Sequence, residues 1–336
     1  MANRSNAVVL ILVLIFALVS CGSGGDNDPV VYIAGFYNDD SGNKIACYWR
    51  NGGKPIPLAA TISLAGAMTK TNGSIYAAGS YINGNGKYVA CYWKDWGKPQ
   101  PVSNNEFQSE ITGIAVAHGD IYASGSYWNG SFWVCCYWAG GVEKPLPGNG
   151  ATVNALGVAG RDVYTTGYYS NGDFIACYWK DGEKQDLSAN ASEAYDLTVA
   201  GSAVYIAGCV NNSSGVRTAC YWKVGEATPT ELCEDFSKAL AITVANGVVY
   251  TAGWYNDGVR QVPCYWKGTV RTPLSLPDGS SGSFNVTGIA VSGGSVYVSG
   301  AYYTDALNRV ACYWKDRGAA IPLTNFYSEA NAIVVK

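Results

Sequence analysis

Few residues in this chain of 336 are equipped for acid–base chemistry. There is one histidine, His118, in a His-Gly-Asp turn signal, so His-based triads and multi-His metal centres have little to draw on. The most suggestive carboxylates are Glu110, Glu193 and Glu329, each directly after a serine, with Lys238 at the matching place in another segment. Paired carboxylates hydrolyse glycosides when their separation suits one of two paths. Nothing in the spacing fixes that separation, and serine beside a solvated glutamate also suits the capped start of a strand. A second set is aromatic: Tyr37, Tyr81, Tyr127, Trp128, Tyr169, Trp254, Tyr255, Tyr302 and Tyr303, followed by Asn, Asp and Gly in runs such as Asn129-Gly130. Aromatic faces stack on sugar rings while short amides and carboxylates bond the hydroxyls. The same tyrosines also suit packing between sheets, and Asn-Gly suits turning the chain. There is no G-x-S-x-G, no phosphate-binding loop and no dinucleotide fingerprint. Asp39-Asp40-Ser41-Gly42-Asn43 begins like a calcium loop, but the twelfth position is Arg50 and not an acid, so it reads as a turn.

The elements that must position these residues come from one unit written seven times. Val/Ile-Tyr recurs at 31, 75, 121, 163, 204, 249 and 296, and a Cys-Tyr-Trp triplet follows each time, at Cys47, Cys91, Cys136, Cys177, Cys220, Cys264 and Cys312. Within a unit the pattern gives four short strands. Around Ile121 these are an apolar small-residue run, a tight turn at His118-Gly119-Asp120, a strand containing Gly125, an Asn-Gly hairpin signal, the strand with the triplet, and a short fourth strand. Four strands per repeat of this length resembles the blades of a β-propeller. The Gly-His and Trp-Asp marks of WD40 blades are absent.

The two ends of the repeat are complementary. The first unit begins on its second strand, and residues 331–336 match an inner strand. The expected fold is therefore all-β: a seven-bladed propeller over 30–336, four strands per blade, closed by the C-terminal strand completing the first blade. Connections after second and fourth strands form one face, where ligands of propellers often bind. Two inner-strand residues depart from the repeat: Lys70, where the others carry Val, and Asp196, where the others carry Ala or Gly. Each is expected to reach channel water or a partner.

Composition excludes several classes. Charged residues are 14% of the chain, aromatics 13%, and Lys+Arg 22 against Asp+Glu 25. Such a chain is neither disordered nor a basic nucleic-acid binder. Eleven cysteines suggest a disulfide scaffold until they are placed. Seven hold one equivalent site per blade; sheets about 10 Å apart exceed the roughly 7 Å reach of a bridge. They read as small buried fillers beside Trp, and Cys135 as further packing. Cys209 and Cys233 leave one blade on one face and form a candidate disulfide. No metal site and no cofactor are expected.

The leader carries Arg4, an apolar run from Val8 to Val19, and then Leu18-Val19-Ser20-Cys21. The run is shorter than the roughly 20 residues of a membrane span. These four residues resemble the lipobox of bacterial lipoproteins. The resemblance implies a signal peptide over 1–20, lipid attachment at Cys21 and a flexible tether over 21–29. Gly22 in place of Asp favours the outer membrane. Leader and blade pattern together resemble a bacterial lipoprotein bearing a propeller. The functional expectation is a membrane-anchored, monomeric, non-catalytic module binding a glycan or an envelope protein. The alternatives are a docking scaffold and a carboxylate-dependent hydrolase or lyase, which the near absence of His disfavours.

Overall fold

The computed structural model describes residues 29–102, 108–148, 150–304 and 308–336. All elements among them are strands, in seven antiparallel four-stranded sheets. The fifth blade shows the plan: inner strand Ser192–Ala200, second strand Ala203–Asn211, third strand Arg217–Lys223 and outer strand Thr230–Glu231. In the first blade the inner strand is Ser328–Val335, paired with Val31–Asn38. Reciprocal bonds between Val30 and Lys336 complete the closure, both 2.8 Å. The ring therefore closes as the repeat pattern requires, leaving no unpaired circular edge.

Blades adhere through their faces. Each triplet Trp is buried, from Trp49 to Trp314, and each triplet Cys is fully covered. Cys47 and Trp49 pack on the seventh blade's Tyr297 and Ala311, and the other joints repeat this arrangement. Truncating one such Trp should cost about 3–5 kcal/mol.

A small device recurs in every inner strand. Pairing with the second strand skips one residue, leaving a bulge at Asn331, Gly66, Thr112, Asn154, Tyr195, Leu240 and Thr287 in blades one to seven. A bulge re-aims its side chain and bends its strand. Here the bend drives the inner backbone into the second strand. A Cβ on the facing glycine would lie 1.9 Å from the Glu329 carbonyl oxygen at Gly35, 1.8 Å from that of Thr152 at Gly167 and 2.1 Å from that of Glu193 at Gly208. The glycine inside each second strand is thus the counterpart of the bulge, and it pairs with the triplet Cys.

The serines that open inner strands join blades as well as cap strands. Ser192 Oγ donates to the Asn190 carbonyl at 2.9 Å and accepts from Ala176 N–H of the preceding blade at 3.0 Å. Ser63, Ser109, Ser237 and Ser328 accept from Ala46, Ala90, Ala219 and Ala311 in the same way. Between the sixth and seventh blades the alanine is Pro263, which has no N–H, and the serine position holds Phe284. Between the third and fourth, Ala151 replaces the serine, and Cys135 Sγ contacts the Ala151 carbonyl at 3.0 Å.

Candidate functional site

The bulges place seven residues at the axis, six of them with side chains and one Gly66, around a channel of about 640 Å³. Three of them tie neighbouring blades: Asn331 Nδ2 to Ala65 O at 2.9 Å, Asn154 Nδ2 to Ala194 O at 2.7 Å, and Thr287 Oγ1 to Ala330 O at 2.7 Å. Tyr195, at the bulge of the fifth blade, does something else. Its hydroxyl donates to Glu193 Oε2 and receives Lys238 Nζ at 2.5 Å, with Cys209 Sγ at 3.8 Å. Lys238 belongs to the sixth blade, so a side-chain network spans this joint.

Glu193 sits at the centre of that network. Its Oε1 accepts from Arg217 Nη1 at 2.5 Å and its Oε2 from Lys238 Nζ at 3.2 Å. The carboxylate side chain is 9% exposed, against 29% for Arg217 and 22% for Lys238. The acid is therefore the most covered member, the two cationic side chains are partly exposed, and the group sums to one positive charge. Lys238 Nζ also lies 5.0 Å from the centre of the Tyr195 ring, a cation–π contact. Burial, then the nearby Cys209 and Glu193, push the Tyr195 hydroxyl well above its ordinary range, so it keeps its proton. Burial likewise raises the Cys209 thiol.

The next residue, Asp196, is half-buried at the channel wall, with its carboxyl on backbone donors. Its Oδ1 accepts from its own Leu197 N–H at 2.8 Å and its Oδ2 from Ile242 N–H of the sixth blade at 2.9 Å. Burial pushes its carboxyl up to about 7, against the two N–H donors. The small residues elsewhere in this position have the same cause. A Cβ on Gly113 would stand 2.7 Å from the N of Leu156 in the next blade.

The remaining rim charges do not converge on this site. Glu329 pairs with Arg309 Nη2 at 2.8 Å, and burial raises its carboxyl against the pull of Arg309 and Lys44. Glu110 accepts from Ser126 Oγ at 3.0 Å. The three acids thus lie in three different blades, each with its own partner. Lys70 reaches the Val335 carbonyl at 3.2 Å, and His118 is an exposed turn residue whose Nε2 lies 2.6 Å from Gly160 O.

Most of the aromatic row packs. Tyr37, Tyr81, Tyr127, Tyr169, Tyr255 and Tyr302 each belong to a joint between blades. Tyr127 shows it chemically: burial and Glu143 push its hydroxyl up to about 12. Arg271 lies 3.7 Å over the Tyr255 ring, Arg309 5.6 Å over Tyr303, and Trp254 leans on Phe236. Trp128 is exposed and meets exposed Trp133 edge to face, centroids 6.1 Å apart. The residue three places before each triplet Cys, at the start of the third strand, is more informative. Blades two, three and four carry Tyr88, Trp133 and Phe174, all exposed; blades five, seven and one carry Arg217, Arg309 and Lys44, and blade six Gln261. The face has an aromatic arc and a cationic arc. Neither Tyr195 nor this position was singled out by the sequence reading; laying the seven units over one another residue by residue reveals both.

The candidate disulfide is corrected. Cys209 and Cys233 are free thiols. Strand alternation turns Cys209 toward Tyr195, while Cys233 Sγ lies 3.1 Å from Ser237 Oγ. Cys21 lies outside the described residues. Among the described residues no three His, Cys, Asp or Glu side chains gather in a form that could hold a metal ion.

No family model matches the chain, and no curated protein sequence matches it. Its fold is shared with solved structures of low identity. A puromycin-hydrolyzing peptidase of Mycobacterium tuberculosis matches with TM-score 0.60 at 10% identity, over 90% of this chain and 50% of that one. A polysaccharide lyase, the PL25 ulvan lyase, matches with TM-score 0.52 at 11% identity, over 88% and 92%. The Pyrococcus horikoshii acylaminoacyl peptidase matches with TM-score 0.52 at 14% identity, over 90% and 51%. The chain spans about half the length of these peptidases.

Proposed function

We propose that this chain is a non-catalytic binding propeller of the bacterial cell envelope, held to a membrane by lipid on Cys21, and that it binds a glycan on the face bearing the third-strand starts. The observation that carries the reading is the aromatic arc. Trp128 and Trp133 stand exposed at an angle of 66°, beside exposed Phe132 and on the same face as Tyr88 and Phe174. A soluble surface seldom leaves such rings uncovered without a partner. Flat rings at set angles offer stacking faces to successive sugars.

The site chemistry supports binding over turnover. Glu193 has both carboxylate oxygens engaged, Oε1 by Arg217 and Oε2 by Lys238 and Tyr195, which leaves neither free to meet a substrate. Tyr195 holds its proton, which makes it a poor base. The rival reading is a lyase or hydrolase. It draws on the Lys238–Tyr195–Glu193 proton chain, and on the ulvan lyase that shares the fold and was solved bound to -[GlcA(1-4)Rha3S]-. Turnover of an acidic polysaccharide that disappears in Glu193→Gln, with the fold retained, would establish it.

The binding reading is tested on a glycan array with the lipid-free chain from residue 22. Binding that falls at least tenfold in Trp133→Ala and in Trp128→Ala supports it. Folded protein that recognises no glycan overturns it. A co-purifying envelope protein lost in the same variants would then make the face a protein-docking surface. Mass spectrometry of native Cys21, with or without acyl chains, decides the anchor.

A further inference from the structure

We infer that the ligand is an acidic glycan, and that the joint of blades five and six is the subsite for its anionic groups. This rests on the glycan reading above and adds the charge of the ligand. Arg217 and Lys238 come from different strands and different blades, yet converge on one carboxylate. Here two cations meet one acid, and the acid is the covered member. The partly exposed members of the group are the Arg217 and Lys238 side chains, each held by Glu193.

That immobilisation matters for recognition. Arg217 has one nitrogen on Glu193 and further N–H donors for a ligand. Lys238 is held by the ring and the hydroxyl of Tyr195 and by Glu193. A carboxylate or sulfate arriving at this place meets donors whose side-chain entropy is already lost. Charge-assisted bonds from a fixed guanidinium are the strong ones. The same sign recurs round the arc, where Arg309 and Lys44 face Glu329. A chain of acidic sugars lying across the face would stack on blades two to four and place its acid groups over blades five to one.

The test uses polygalacturonate and neutral dextran as probes, with the chain from residue 22, by calorimetry at low and moderate salt. The expected results are preference for polygalacturonate, affinity falling with salt, and a loss on the order of tenfold in Arg217→Gln and in Lys238→Gln. Arg217→Lys should lose less. Trp133→Ala should weaken the neutral and the acidic probe alike. Thermal unfolding of each variant separates a lost contact from a broken joint. Equal binding of both probes, or unchanged polygalacturonate binding in folded Arg217→Gln/Lys238→Gln, overturns the inference and leaves the glycan reading standing. Absence of binding to either probe and to any arrayed glycan overturns both.

Discussion

Asp196 of the fifth blade accepts the backbone N–H of Ile242 in the sixth at 2.9 Å. The six equivalent joints place Ala or Gly there. One half-buried carboxyl has thus been set among backbone donors at the channel wall, and its titration becomes part of the fold's stability.

The sign follows from the direction of the shift. Folding moves the carboxyl from an ordinary 3.8 up to about 7. Between those values the folded chain holds a proton that the unfolded chain releases. Stability from this group is fully present below about pH 4, declines as pH rises towards 7 and is level above it, a change of about 4 kcal/mol at most, less the screening by channel water. Asp196→Ala, which restores the common residue of the position, should flatten the fall in melting temperature between pH 5 and pH 8. Parallel profiles for the two proteins would refute the assignment.

Gly208→Ala should be severely destabilising. Its Cβ would lie 2.1 Å from the Glu193 carbonyl oxygen and 2.7 Å from the Trp222 ring. No rotamer relieves a backbone clash, and a loss of about 3 kcal/mol or more is expected in urea unfolding. Gly73→Ala is the contrast: nothing lies near its Cβ, and only its positive φ of 81° costs.

Ser237→Ala removes the acceptor of Ala219 N–H inside the joint. A buried donor left unpaired costs about 1–3 kcal/mol. The same substitution at exposed Ser41 should change little, and equal melting temperatures for the two variants would contradict the stapling role.

The thiols should separate by burial. Seven triplet cysteines and Cys209 are buried; Cys135 and Cys233 are half-buried. An aromatic disulfide reagent should react quickly with those two at most in the native protein. After denaturation without reductant all ten described cysteines should react. A count of eight would restore the Cys209–Cys233 bridge.

The repeat was legible in the sequence because every joint needs the same parts. Val/Ile-Tyr and Cys-Tyr-Trp reappear wherever one blade packs on another, and the split between the first and last units gave the closure. Asp196 and Lys70 stood out as departures for the same reason. The bulge was not legible, because its only trace is a glycine on the partner strand. Tyr195 was missed because it resembles the other tyrosines until the inner strands are laid over one another. The Arg217–Glu193 pair joins residues 24 apart across two strand reversals, which no local pattern encodes. The tyrosine row misled in part: its regularity reflects packing, while the face that differs from blade to blade lies at the starts of the third strands.

Closure by Ser328–Val335 also sets an order of events in time. The strand Val31–Asn38 is synthesised well before Ser328–Val335 and must wait for it before its blade is whole. A chain interrupted anywhere before Ser328 presents an open sheet edge, ready to pair with whatever it meets. A copy truncated before Ser328 should betray itself to proteases through that edge.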